Sequence, residues 1–230
     1  MPLLDKEIKI FNNIKLDKLF NDCFNNTYDT TVKWIKEDEA FIITGDIPSM
    51  WLRDSSMQVM PYLYFLDNPN AKKLIKATLN KQFEQIIIDP YSNAFMENEN
   101  MKSEWDGLQI SDVVPKIVWE KKFELDSLCF PLFLLCKYFE KSGDIAIFND
   151  KFYQAFDKIL SVVEIERNHS KKSSYFFYRK LPWNGYLEDV GRNTNVLEEK
   201  GLVWTGFRPS DDACEYHYHI PDFWYRFYIN

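Results

Sequence analysis

Residues 43–56 read Ile43-Thr44-Gly45-Asp46-Ile47-Pro48-Ser49-Met50-Trp51-Leu52-Arg53-Asp54-Ser55-Ser56: two carboxylates, a guanidinium, an indole, a glycine and a proline immediately ahead of a run with helical spacing. Asp46, Arg53 and Asp54 stand among Ile47, Met50, Trp51 and Leu52, side chains that fold inward. Charges placed there must pair or hydrogen-bond, because an isolated buried charge is costly. A single Arg–Asp pair is most simply an ion pair that pins a loop. The whole stretch carries more than that. Carboxylates and a guanidinium suit sugar hydroxyls, and an indole face suits the apolar side of a pyranose.

Outward from this loop the 3.6-residue period dominates. Upstream, Leu16, Leu19, Phe20, Cys23, Phe24 and Thr27 recur at spacings of three and four and predict one amphipathic helix over about 16–34. Downstream, Asp54 or Ser55 is expected to cap a second helix through Val59, Tyr62, Leu63 and Leu66, stopping near Asp67-Asn68-Pro69, with Pro61 shifting its start or kinking it. A third is expected from Ala71 to about Ile88, a fourth over Leu125 to Phe139 closed by Ser142-Gly143-Asp144, and a fifth from Ile145 to Ile165. Stretches 37–53, 89–120 and 168–210 read as long irregular loops. With no βαβ alternation and no repeat of fixed period, this is an all-α chain whose unusual residues are concentrated in its loops.

Composition narrows the partners. A chain of 230 residues with 46% hydrophobic and 27% charged residues is long enough for a single domain, 1–230, with a sizeable core. Aromatic residues at 17% with only 7 glycines favour helices over a turn-rich β sandwich. Twenty-eight basic against 35 acidic residues, a formal charge of -7, argue against nucleic acid and anionic membranes as partners. Met1 to Leu19 mixes Asp5, Lys6, Glu7 and Lys9 with its apolar residues and lacks a leader's apolar stretch, and no apolar run approaches the ~18 residues of a membrane span. Cys23, Cys129, Cys136 and Cys214 have no zinc-site spacing and sit among apolar neighbours, which predicts buried thiols in a reducing compartment and a cytoplasmic protein. No phosphate-cradling motif is present, so no cofactor is expected. His217 and His219, two apart, point to different sides of a helix, so no metal is expected there.

Further loop residues share the chemistry of the opening stretch. Glu104-Trp105-Asp106-Gly107 and Trp119-Glu120 set indoles beside carboxylates, and Asp126 is most simply a helix N-cap or first-turn acid. Four ordered motifs then coincide: Thr44 to Ser55, Asp89-Pro90-Tyr91-Ser92-Asn93-Ala94-Phe95, Glu124-Leu125-Asp126-Ser127-Leu128-Cys129, and Gly206-Phe207-Arg208-Pro209-Ser210-Asp211-Asp212-Ala213-Cys214. Together they closely resemble glycoside hydrolase family 125. The resemblance implies an (α/α)6 toroid and a metal-independent, inverting exo-α-1,6-mannosidase that removes terminal mannose from manno-oligosaccharides or N-glycans.

It also implies roles. Asp211 matches the position of the general acid. Arg53 and Asp54 are expected to clasp hydroxyls of the terminal mannose, Trp51 to shape or stack on the pocket and Arg208 to orient the acid loop, with Asp126 and Asp212 completing the substrate-binding set. Asp211 is expected to open a helix behind Pro209-Ser210, where the dipole lowers its pKa; an acid needs the reverse, and an ionised Asp212 or other neighbour is expected to push it up.

One departure matters. The chain ends at Asn230, and the resemblance puts the remaining helices and the catalytic base glutamate beyond that point. The last ten residues, Pro221 to Asn230, are strongly apolar and drift from the family's usual continuation. A half toroid is expected to expose apolar surface and to self-associate. Two alternatives therefore stand beside the mannosidase: an inactive fragment that binds mannosides weakly, and a helical-toroid glycosidase acting on α-glucans.

Overall fold

The structure is a computed structural model and describes residues 8–185, 187–191 and 201–224. The charged residues Asp5, Lys6 and Glu7 and the aromatic end Tyr225–Asn230, both used in the sequence reading, lie outside the described residues.

The expected helices form, with edges set by local chemistry. Helix α1 (Ile14–Thr30) starts at Asn13, whose side chain accepts the amides of Lys15 and Leu16. It ends four residues before the expected 34, because Val32, Trp34 and Ile35 prefer extended backbone. Strand β1 (Val32–Lys36) instead pairs antiparallel with β2 (Glu39–Ile42). The face buried by α1 is also narrower than its periodicity implied. Phe24 seats against Tyr62 and Phe65, with ring centroids 4.9 and 4.6 Å away, and Phe20 stacks on it, whereas Leu16, Leu19 and Cys23 are exposed. Cys23 is therefore not a buried thiol; all four cysteines are free.

After β3 (Ser49–Trp51), helix α2 (Leu52–Val59) begins earlier than expected, with Trp51 at its N-cap and no side-chain cap. Neither Asp54 nor Ser55 is the cap. Arg53 and Asp54 lie inside the first turn. Pro61 lacks an amide proton, and from Met60 to Phe65 the chain tightens into a 3-10 helix. Asn68 caps α3 (Pro69–Ile88), with proline at the first helical position. Helix α4 (Leu125–Ser142) stops at Gly143 in the left-handed region, φ +62°. The expected fifth helix divides. A short 3-10 turn, Ile145–Ile147, precedes α5 (Asp150–Glu166), because the Asn149 side chain accepts the Phe152 amide at 3.0 Å and restarts the helix.

These helices form two layers. Helix α2 packs beside α4, and α3 packs beside α5 and against both α2 and α4. Leu52, Val59, Leu74, Phe83, Leu134, Tyr138 and Phe152 fill the space between them. Gln82 stitches the layers by donating to Leu52 O, Ser55 Oγ and Ser56 Oγ at 2.8–3.0 Å, which satisfies serines that burial would otherwise penalise. Because α3 returns the chain between α2 and α4, those two helices start at the same end of the molecule. This alternation of inner and outer helices is the (α/α) toroid arrangement.

The loops at that end are not irregular throughout. They hold α6 (His169–Lys172) and two antiparallel three-stranded sheets: β3 with β4 (Ala94–Met96) and β6 (Val118–Glu120), and β5 (Gln109–Ile110) with β7 (Phe177–Lys180) and β8 (Leu187–Val190). Their registers set two rows of side chains on common faces, Trp51–Ala94–Glu120 and Gln109–Arg179–Glu188. Gln109 ties the rows together, donating to Trp119 O and accepting from the Lys121 amide. The chain then runs to α7 (Ile220–Trp224), which packs against α4.

Candidate active site

Three segments converge where the inner helices begin. Arg53 and Asp54 come from the first turn of α2, Glu124 and Asp126 from the start of α4, and Asp211 from the turn ahead of α7. Hydrogen bonds across long sequence separations hold them together. The amides of Gly206 and Phe207 both donate to Phe123 O at 3.1 Å, and the Leu125 amide at the α4 start donates to Thr205 Oγ1. Gly206 packs closely, since a Cβ there would lie 3.1 Å from Val190 Cγ1 and 3.2 Å from the Trp204 ring, so a larger residue would press on both side chains. Thus the acid motif is sewn directly onto the helix that carries Glu124 and Asp126.

Asp211 does not open a helix. It occupies a turn at φ +64°, a conformation Asp tolerates, closed by Asp211 N to Arg208 O and Arg208 N to Asp212 O, both 2.9 Å. Two cations clamp this turn from beneath. Lys122 Nζ donates to Asp211 O at 2.7 Å, and Arg53 Nη1 donates to Pro209 O. Arg53 also reaches Asp126 Oδ2 at 3.4 Å and Asp54 Oδ2 at 3.3 Å, so one guanidinium spans all three segments.

Lys122 is itself buried in a network of alternating charge: Lys122 Nζ to Glu188 Oε1 at 3.1 Å and Glu120 Oε1 at 3.9 Å, Arg179 to Glu188 at 2.8 Å and to Glu120 at 2.7 Å. Asn93 contributes both of its amide groups, donating to Glu120 Oε2 and accepting from the Lys122 amide. Two cations and two carboxylates offset each other, which is how buried charge is tolerated.

The electrostatics favour retained protons. Burial first, then the charges of Asp126, Asp211 and Glu120, hold the Glu124 carboxyl well above its ordinary range. Glu124 and Asp211 face each other carboxyl to carboxyl within hydrogen-bonding reach, an arrangement in which the pair shares a proton, and both carboxyls are raised. Glu124 Oε1 meets no hydrogen-bond donor from the protein, which adds to the cost of its charged form. Asp211 is exposed at the rim as a residue, while its carboxyl is crowded by protein. That crowding and the Glu120 charge raise its pKa against the opposing pull of Lys122 and Arg53. The upward push thus comes from burial and Glu120 rather than from Asp212, which is exposed and paired with Arg208 at 2.9 Å. Asp126, 0% exposed, lies in the first turn of α4; burial and the charge of Asp222 push it up to about 7 in spite of Arg53.

This predicts a pH dependence of stability. Where the folded pKa is raised, the fold prefers the protonated form, so the stabilisation is fully present below the ordinary carboxylate range (~4) and declines as pH rises toward the folded values, about 7 for Asp126. Glu124→Gln imitates the protonated side chain. Its Tm should match the parent's near pH 4 and exceed it at pH 8; thermal melts across that range check the sign, and equal Tm differences at both pH values contradict it.

The remaining sequence-identified residues take the following places. Trp51 is buried among Ala94, Met96, Trp105 and Trp119, shaping the wall rather than presenting an open face. Arg208 and Asp212 are exposed and brace the turn across its two ends, with Ser210 Oγ donating to Asp212 at 3.0 Å. His217 stacks on Trp204, and His219 pairs with Asp222 at 2.8 Å. Among the described residues, no three His, Cys, Asp or Glu side chains form a group able to hold a metal, and no helix is long and apolar enough to cross a membrane.

The profile of the family described as metal-independent α-mannosidase, glycoside hydrolase family 125, matches residues 13–226. The chain belongs to this family. A solved structure of a Streptococcus pneumoniae protein, from a study of metal-independent α-mannosidases and holding α-1,6-mannobiose in a non-productive complex, superposes with a TM-score of 0.83 at 32% identity, covering 93% of this chain and 50% of that one. The Meiotically up-regulated gene 157 protein of Schizosaccharomyces pombe is 36% identical, over 90% of this chain and 44% of its own length. The chain therefore spans about half the length of these family 125 relatives, and the part it spans has the family's toroid fold.

Within this family 125 site, the motif reading singled out Asp211, Arg53, Asp54 and Asp126 but assigned no role to Glu120, Lys122, Glu124, Arg179 or Glu188. Signals for them were present. Trp119-Glu120-Lys121-Lys122-Phe123-Glu124 reads as a solvated charge run, yet it lies between two apolar strand and helix patterns. In Phe177-Tyr178-Arg179-Lys180 the strand period puts Arg179 on the buried face with Phe177.

Proposed function

We propose that this protein is a glycosidase that removes a non-reducing terminal α-1,6-linked mannose with inversion, Asp211 acting as general acid. The observation that carries the reading is the Asp211 carboxyl, raised in pKa and held against Glu124 beside Arg53, Asp54 and Asp126. In the reaction, the Asp211 proton passes to the glycosidic oxygen as its bond to C1 breaks. A carboxylate on the opposite face takes a proton from water, whose oxygen bonds to C1, giving β-mannose. The resemblance assigns that base to a glutamate outside these residues. Arg53 and Asp54 supply a charged pair suited to the mannose hydroxyls, and neither metal nor cofactor enters.

The test is direct. Incubation with α-1,6-mannobiose, followed by proton NMR of the first product, should show β-mannose before mutarotation, with maltose untouched. Early α-mannose rejects inversion, and turnover of maltose instead favours an α-glucan enzyme. The half-length match to its relatives favours a second reading for the 230 residues by themselves, mannoside binding without turnover, which NMR titration with mannobiose separates from the first. Free cysteines and net negative charge support a cytoplasmic setting and a neutral sugar as partner, and the exposed Ile14, Leu16 and Leu19 on α1 support self-association.

A further inference from the structure

Four tryptophans gather near the Glu120–Arg179 pair, which Trp105 touches through Arg179. Trp51, Trp105 and Trp119 are buried together with Ala94 and Met96, and Leu181 packs against them. Trp105 lies flat enough on Arg179 for the guanidinium carbon to sit 3.8 Å from the ring centroid. Trp183 then leans on Trp105 at 5.6 Å and 54°, and it differs from the others in being 65% exposed, against 9% for Trp105.

That exposure is built in. Leu181 anchors one end of the β7–β8 turn, Gly185 closes the other at φ +69°, and the Gly185 amide donates to Leu181 O at 3.0 Å. The indole is thereby held out on a short, closed turn, at a standing cost in exposed apolar surface. Its position is tied to the chemistry: Trp105 touches Arg179, Arg179 pairs with Glu120, and Glu120 and Lys122 both act on Asp211. Arg53, Asp54 and Asp126 come from the helix starts, whereas the Trp105–Trp183 pair is linked to Asp211 through Arg179 and Glu120.

We propose that Trp183, seated on Trp105, is a binding platform for a pyranose ring on the leaving-group side of the scissile bond, one or two sugars beyond the terminal mannose. This rests on the mannoside reading above. An exposed indole face offers an apolar surface to the axial C–H groups of a sugar and discriminates by length rather than by hydroxyl pattern. The experiment compares the parent, Trp183→Ala and Trp183→Phe by calorimetric titration with methyl α-mannoside, α-1,6-mannobiose and α-1,6-mannotriose, with Tm as a folding check. Trp183→Ala should weaken the longest ligand that the platform reaches by about five- to tenfold, and Trp183→Phe by less, while methyl α-mannoside is unchanged. If the parent binds the oligosaccharides and Trp183→Ala binds them equally well, the platform is wrong and the mannoside reading stands. If the parent binds none of the three, both fall. Equal weakening toward all three ligands also overturns the platform, since it places Trp183 at the terminal sugar.

Discussion

In an active full-length form that carries the base, Asp211→Asn is expected to lower kcat/KM for α-1,6-mannobiose by about 10²–10⁴-fold, because it removes the proton donor while keeping size and most hydrogen bonds. The loss should shrink sharply for an aryl mannoside with a good leaving group, whose departing phenolate needs little protonation. Initial rates on both substrates give the answer. A loss independent of leaving group removes Asp211 from the role, and a larger, leaving-group-dependent loss at Asp212→Asn transfers it. The geometry favours Asp211, because its carboxyl meets Glu124 and is raised by burial and Glu120, whereas Asp212 turns outward to Arg208.

Lys122→Met should have the largest combined effect on stability and turnover. The ammonium is buried, bonded to Glu188 and to the backbone oxygen of Asp211. Its loss leaves two carboxylates against Arg179 alone, and breaking a buried pair of this kind costs about 3–5 kcal/mol. The Asp211 turn also loses one of its two clamps, and a misplacement of an ångström in a catalytic group costs about 10²-fold in rate. Denaturant unfolding measures the first effect and kcat the second. A third readout isolates the electrostatics. Lys122 lowers the Asp211 pKa, so removing it should carry the alkaline limb of the pH–rate profile to higher pH. If unfolding intervenes, Glu120→Gln supplies the mirror test: Glu120 raises Asp211, and its neutralisation should carry the same limb to lower pH. An unmoved limb in both variants shows that this network does not tune the acid.

Arg53 shows how function and scaffold share one side chain. The motif reading assigned it to the sugar, and the structure finds its guanidinium already occupied by Asp54, Asp126 and Pro209 O. An arginine has five N–H donors, enough to hold the turn and still meet a hydroxyl.

How much could be read in advance divides by range. Helix periods, the stop at Gly143, the proline boundary at Pro69 and the charged loop ahead of α2 depend on neighbours three or four residues away, so the sequence by itself determined them. Where local signals conflicted, the reading slipped: a helical period ran on past Thr30 into the β-branched strand, and Asn149 divided a pattern that looked continuous. The motifs likewise named Asp211, Arg53, Asp54 and Asp126 because those residues stand in recognisable order. Only the tertiary structure decided what surrounds them. Asp211 meets Glu124, Lys122 and Glu120 from 87 to 91 residues away, through strand registers and helix starts that no local spacing encodes. The protonation state of a carboxyl follows from burial and from charges close in space. For that reason the sequence could nominate the acid, whereas the fold set the direction of its pKa.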